Sequence, residues 1–235
     1  MKKYFALAII CFVSLITLFL PIFCIDELIV TGNNFVTEKQ ISDLINFNTG
    51  ENIFLFNKFV AQKKLRTNYF INTAKINYLL PNKISVNIVE RVPICYVKYL
   101  NDSYILIDNE ARIIEISKAC DKNFPIVLGL NFDSFTLGQI LNIDDKFLID
   151  SALQLSKFVL ENDFMQNNLV IDFSDRNNIC LYVKDIDIHF GDMNDAPQKI
   201  ALIKSILESG SDYLNKPGIL YLNHKNLAPV FKFIT

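Results

Sequence analysis

The sequence predicts an α+β protein in three parts. A single membrane-spanning helix occupies residues 4–23, behind a three-residue cytoplasmic tail at 1–3. A small domain in the order strand, helix, helix, strand, strand follows over 24–93. A mainly antiparallel β domain with two helices completes the chain over 94–235. Three observations carry this. Tyr4 to Phe23 contains no charge. The apolar period changes from helical to two-residue spacing between Arg66 and Ala74. From Pro93 onward, short alternating runs dominate and only two stretches return to a helical stripe.

The N-terminal segment is the simplest to justify. Only Ser14 and Thr17 are polar between Tyr4 and Phe23, and no charge appears between Lys3 and Asp26. At about 1.5 Å per residue the segment reaches about 30 Å, the thickness of a bilayer's hydrocarbon core. Its end, Leu20-Pro21-Ile22-Phe23-Cys24, lacks the small residues of a signal-peptide cleavage site, so the segment reads as a retained anchor. Lys2 and Lys3 keep the tail inside by the positive-inside rule and place everything after residue 24 across the membrane.

In the small domain, Ile25 to Thr31 reads as a strand closed by Gly32-Asn33. Thr37 with Gln40 makes a capping box before Ile41, Leu44 and Ile45. A second helix is expected from Asn57 to Arg66, with Phe59, Val60 and Leu65 on its apolar face. Ala74, Ile76, Tyr78 and Leu80 then alternate with other residues. After a turn at Pro81-Asn82, so do Ile84, Val86 and Ile88.

The larger domain opens at Pro93. Tyr96–Leu100 and Tyr104–Asp108 suggest a hairpin over Asn101-Asp102, and Arg112–Ser117 adds a strand. A helix is expected from Asp145 to Glu161 on the stripe Leu148, Ala152, Leu155 and Val159, with acids at its start to complement the dipole. Strands return at Asn168–Phe173, Ile179–Val183 and Ile186–Phe190. A helix at Ala196–Ser209 carries Pro197 in its first turn and Gly210 past its end. Ile219–Leu222 and Val230–Phe233 are two short closing strands.

Composition excludes several functions. Apolar residues make up 51% of the chain and charged ones 20%, with 23 basic against 25 acidic side chains, so a core can form and disorder is excluded. A net charge of −2 gives no basic footprint for nucleic acid. No phosphate cradle, Cys-x-x-Cys, zinc-helix motif or nucleophile elbow occurs, and the two histidines, His189 and His224, have no marked partner. No catalytic residue, metal ligand or cofactor is therefore expected. Among the exported cysteines, Cys95, Cys120 and Cys180 leave the disulfide question open, and Cys180 reads as a small buried hydrophobe.

Ile29 to Val36 with Gly32-Asn33 at its centre, followed by Asn52-Ile53-Phe54, resembles the start of a POTRA domain. Val89-Glu90-Arg91-Val92-Pro93 resembles the Glu-Arg-x-Pro signature of the FtsQ/DivIB bacterial cell-division family. Leu106-Ile107-Asp108-Asn109-Glu110 is similar to that family's hairpin, and Phe124-Pro125-Ile126-Val127-Leu128-Gly129 to a later element. Phe190-Gly191 with Lys199 is similar to its helix entry. The resemblance runs from residue 4 to 232. It departs at Ala111, where the family's hairpin has Gly, and at Leu220-Tyr221-Leu222-Asn223, where the family has Ile-Asp-Leu-Arg.

The resemblance implies a non-catalytic division scaffold at the septum, single-pass in the inner (cytoplasmic) membrane. Its implied partners are FtsB/DivIC-like and FtsL-like proteins, with other divisome components reached through the POTRA domain, and it implies help in controlling septal peptidoglycan synthesis. It makes Gly32, Asn33, Glu90, Arg91, Pro93, Asp108, Pro125, Gly129 and Gly191 structural. It also implies partner binding by strand addition at a C-terminal edge formed by Ile219, Leu220, Tyr221, Leu222, Val230, Phe231 and Lys232. Side chains such as Leu220 and Leu222 would set the register. The competing readings are a POTRA-bearing protein of outer-membrane assembly or secretion and a membrane-anchored envelope enzyme. The first should continue into a long series of barrel strands, and the two helices after Pro93 interrupt any such series.

Overall fold

The computed structural model describes residues 3–5, 10, 12, 17–100, 103–162, 169–209, 216–222 and 229–234. Residues 3–5, 10, 12 and 17 are helical, and among the described residues no helix is long and apolar enough to cross a membrane. Nine of the twenty residues of the expected anchor, at 6–9, 11 and 13–16, lie outside the described residues, as do the hairpin turn at 101–102 and Gly210. The chain forms two compact units, Met1–Arg91 and Val92–Thr235.

The first unit opens with a 3-10 turn, Pro21–Phe23, then β1 (Glu27–Thr31), α1 (Glu38–Ile45), α2 (Lys58–Leu65), β2 (Ile71–Leu79) and β3 (Lys83–Glu90). β3 lies in the middle of the sheet, parallel to β1 and antiparallel to β2. The capping box of α1 is complete: Gln40 N–H donates to the Thr37 hydroxyl and Thr37 N–H to the Gln40 side chain. Asn57 caps α2 by accepting from Phe59 and Val60 N–H.

The inward face of α2 corrects the expectation. It is Ala61 and Leu65, four residues apart, that are buried, whereas Phe59 is 73% and Val60 51% exposed. Buried Phe56 just before the cap sets that rotation, turning the two larger side chains outward. Leu80 likewise leaves the core: β2 ends at Leu79, and Leu80 is exposed in the turn beyond it.

The second unit is built on one nine-stranded sheet. Its first strands are β4 (Pro93–Tyr99), β5 (Ser103–Asp108), β6 (Ile113–Ser117) and β7 (Ile126–Leu128). After α3 (Lys146–Glu161) come β8 (Val170–Asp172), β9 (Ile179–Val183) and β10 (Ile186–Gly191). After α4 (Ala196–Glu208) come β11 (Gly218–Tyr221) and β12 (Val230–Phe233). The spatial order is β12-β11-β10-β9-β8-β7-β4-β5-β6. Parallel pairing occurs at β4/β7, β7/β8 and β10/β11, and the other five neighbours are antiparallel. Two of the three parallel pairs are those whose connection contains a helix, since a parallel return needs a long crossover. β7, three residues long, is a strand that periodicity did not mark.

The sheet and the inner faces of α3 and α4 enclose a core that includes Val97, Ile107, Val127, Ala152, Leu155, Ile171, Leu181, Ile188, Phe190 and Ile200. Asp145 caps α3 by accepting from Phe147 N–H at 3.0 Å. At the far rim, Ile113 N–H donates to Gln139 O and Gly138 N–H donates to Ile113 O, so residues 138–139 strap the start of β6. Ala111 occupies the left-handed region at φ 59 despite its Cβ. The turn is held there because Asp108 Oδ1 accepts from Glu110 and Arg112 N–H at 2.9 and 2.8 Å.

Candidate functional site at the C-terminal sheet edge

Six of the seven residues expected at the docking edge lie in β11 and β12, and Leu222 follows directly after β11. The structure divides them differently from the expectation. β11 runs parallel to β10, with Ile188 opposite Leu220, and antiparallel to β12, with Leu220 opposite Phe231. Gly218 and Leu222 N–H groups donate to Asp185 and His189 carbonyls on the β10 side. Ile219, Leu220 and Tyr221 are thus hemmed in on both flanks and form no edge. The reason is the crossover through α4, which delivers β11 beside β10 and leaves β12 to fold back outside it.

β12 is the terminal strand of the sheet, and among the described residues no strand pairs with its outer side. Ile234 N–H donates to Pro217 O at 3.1 Å, which fixes the alternation of the ladder. Val230 and Lys232 therefore turn their main-chain groups toward β11, and Phe233 turns its N–H and carbonyl outward.

Side chains split by face. Leu220 is 2% exposed inside the core, with Leu222 and Phe231 packed against that core. Leu220 and Leu222 are therefore not available to set a partner's register, as the sequence had suggested. A Cβ at Gly218 would run into the Phe231 ring, so the absence of a side chain there seats that ring against β11. Phe233 stacks edge-on to Phe231 at 5.4 Å and remains 56% exposed. On the opposite face Lys232 Nζ lies 5.0 Å from the Tyr221 ring, which stacks on His189 at 4.8 Å. The strand thus presents main-chain groups, exposed Phe233 and Val230, and the Lys232 cation. Phe233 and Gly218 are site residues that sequence reasoning missed; the alternation in Val230-Phe231-Lys232-Phe233 already carried the signal for Phe233.

The expected structural residues cluster around two turns and one helix entry. Gly32, at φ +82, lies under the Ile88 carbonyl, where a Cβ has no room. Beside it Asn33 Nδ2 donates to Val36 O, and the Glu90 carboxylate accepts from Asn34, Phe35 and Val36 N–H, each at 2.8 Å. Arg91 N–H donates to Phe70 O at 2.7 Å, and Pro93 begins β4 opposite Asp108. Pro125 O accepts from Tyr96 N–H at 2.9 Å, and Gly129, at φ +81, meets the backbone of Phe173 and Ser174. Gly191, at φ +79, ends β10, and Lys199 lies over Phe190 at 4.8 Å while donating to Asp192 O at 2.8 Å.

Other chemistry is sparse. Among the described residues no cluster of His, Cys, Asp and Glu has the arrangement of a metal site. Cys24, Cys95, Cys120 and Cys180 are free thiols. Burial pushes the Cys95 thiol up to about 12, with the neighbouring Ser156 hydroxyl pulling slightly the other way although no hydrogen bond of ordinary geometry reaches that oxygen. Cys120 is raised to about 11, again by burial first and by Glu115 second.

Comparison with known proteins follows the same division. Residues 23–91 match the POTRA domain, FtsQ-type. The chain is 28% identical to the cell division protein DivIB of Clostridium botulinum (strain Hall), over 98% of this chain and 90% of that one. It is 26% identical to DivIB of Bacillus subtilis (strain 168), over 86% and 72%. It is also 31% identical to cell division protein FtsQ of Rickettsia bellii, over 45% and 38%.

Proposed function

The chain belongs to the FtsQ/DivIB family of cell-division proteins, and on that premise we propose that it is a non-catalytic scaffold of the division septum. It takes an FtsB/DivIC-like protein at the C-terminal edge of its larger domain, together with an FtsL-like one, and through them helps control septal peptidoglycan synthesis. Residues 4–23 anchor it in the cytoplasmic membrane, with the tail inside and both folded units outside. Further divisome components meet the POTRA domain.

The outer side of β12, with which no strand pairs among the described residues, carries this reading. A strand with outward main-chain donors and acceptors binds an extended segment by adding it to the sheet, and charge alone gives no such directionality. Lys232 gives that edge a cation that discourages indiscriminate pairing and favours an acidic or polar partner strand.

Depletion from growing cells tests the role: filaments with unfinished septa are expected, and ordinary division after complete loss overturns it. Crosslinked co-purification tests the partners. Recovery of the FtsB/DivIC-like and FtsL-like proteins is expected with the intact chain and not with one ending at Tyr221. Equal recovery with both overturns docking at β12.

A further inference from the structure

We propose that the POTRA domain lies directly on the lipid surface, docking through an apolar and cationic patch built from residues 54–60 and the start of α2. This rests on the reading of residues 4–23 as the membrane anchor and extends it from a tether to a fixed orientation of the domain.

The first observation is the absence of slack. The Leu18 carbonyl accepts from Asn52 Nδ2 at 2.9 Å, Phe23 O accepts from Ile53 N–H at 2.9 Å, and Ile25 N–H donates to Glu51 O at 2.8 Å. Cys24 forms a β-bridge with Asn52, and the Phe23 ring meets Phe54 at 5.1 Å. The last residues of the anchor segment, Leu18 and Phe23, and the first ones beyond it, Cys24 and Ile25, are therefore stitched directly to the 51–54 loop. No flexible linker separates the two, so this end of the domain stays at the headgroups.

The second observation is what that end displays. Phe54 is 47% exposed, Leu55 64%, Phe59 73% and Val60 51%. Leu55 and Val60 line one shallow depression, and Lys58 Nζ stands 5.5 Å from the Phe59 ring and 5.1 Å from the Tyr78 ring. The Tyr78 hydroxyl in turn donates to Phe56 O at 2.6 Å, which locks that ring beside the patch. Exposed aromatic rings flanked by lysine are the usual dress of a membrane interface.

The third is charge. Between Glu51 and Glu90 there are six lysines and arginines and no acidic residue, in a chain whose total is −2. Three of the six, Lys58, Lys63 and Lys64, lie on α2 itself. This segregation complements an anionic leaflet, even though the exported part as a whole is acidic. With the anchor holding the patch at high effective concentration, weak contacts suffice.

The chain has no tryptophan, so single Phe→Trp variants of the full chain in vesicles report depth without background. In phosphatidylcholine–phosphatidylglycerol vesicles with brominated acyl chains, the Phe59→Trp variant should be quenched at least twofold more than Phe35→Trp. Phe35 is on the loop after β1, whose five residues separate it by about 17 Å from the anchor's exit. Phe12→Trp, inside the anchor, is the internal standard. Equal emission loss for Phe59→Trp and Phe35→Trp, with Phe12→Trp quenched, overturns the docking and leaves the anchor standing. An unquenched Phe12→Trp overturns the anchor reading as well. Changing Lys58, Lys63 and Lys64 together to Gln should at least halve the Phe59→Trp quenching, and an unchanged signal overturns the electrostatic part.

Discussion

Glu90 and Val36 are joined across 54 residues of chain by a 2.8 Å bond from the Val36 N–H to Glu90 Oε1. The other carboxylate oxygen takes Asn34 and Phe35 N–H, so one side chain at the end of β3 organises the whole turn between β1 and α1. Such bonds to an ionised acceptor are stronger than neutral ones.

Replacing Glu90 with Gln removes the charge and points an amide NH2 at donors. Unfolding of the POTRA domain in denaturant should shift by about 1–3 kcal/mol. A shift below about 0.5 kcal/mol would show that water serves the turn equally well.

Gly32→Ala and Gly50→Ala form a controlled pair. Both glycines have positive φ, +82 and +87, yet only Gly32 faces a backbone carbonyl where Cβ would lie, whereas Gly50 has open space. Gly50→Ala should cost about 1 kcal/mol from the left-handed backbone alone. Gly32→Ala should cost at least about 2 kcal/mol more, because β1 and β3 must separate. Thermal melts of the two variants compare them directly.

Ala111 poses opposing terms. Glycine there would relieve about 1–2 kcal/mol of left-handed strain. It would also give up the methyl of a buried residue and loosen the unfolded chain, together of similar size. Ala111→Gly should therefore stay within about 1 kcal/mol of the parent, while Ala111→Val, β-branched at positive φ, should lose more than about 2 kcal/mol. Equilibrium unfolding of both variants decides whether strain or packing dominates.

The Cys95 thiol gives a pH dependence with a definite sign. Its folded value, about 12, exceeds the ordinary 9.0, so the unfolded chain ionises first as pH rises. The contribution is complete below about pH 9 and is lost progressively toward about pH 12. Urea midpoints measured between pH 8 and 10.5 should fall more steeply for the parent than for Cys95→Ala. Parallel slopes would mean that the thiol is solvated.

Phe233→Pro tests the docking edge without disturbing the ladder. The lost N–H faces outward, and Lys232 before it is already extended. Affinity for the proposed FtsB/DivIC-like partner should drop about tenfold or more, the worth of roughly one main-chain bond and its geometry, at an unchanged melting temperature. Leu222→Asp is less informative, because Leu222 packs against the core and its loss would unsettle β11.

What the sequence showed and what it hid divide along a physical line. The Thr37–Gln40 box, the Asp145 cap and the stripe of α3 depend on neighbours a few residues apart, and each was legible. The inward rotation of α2 depended on Phe56 taking a core position before the cap, so the larger Phe59 and Val60 misled. β7 was too short to alternate. Of the two closing strands expected at the edge only β12 lies outermost, because which strand does so is decided by the crossover through α4 and not by any local pattern.

The two rims of the nine-stranded sheet are unequal. Residues 138–139 strap the start of β6, while among the described residues no strand pairs with the outer side of β12 at the other end. An open sheet with two equivalent rims could recruit its own copies head to tail into a fibre. This one is strapped at the start of one rim, so on the proposed reading a guest strand joins at the other rim and the two rims are not interchangeable.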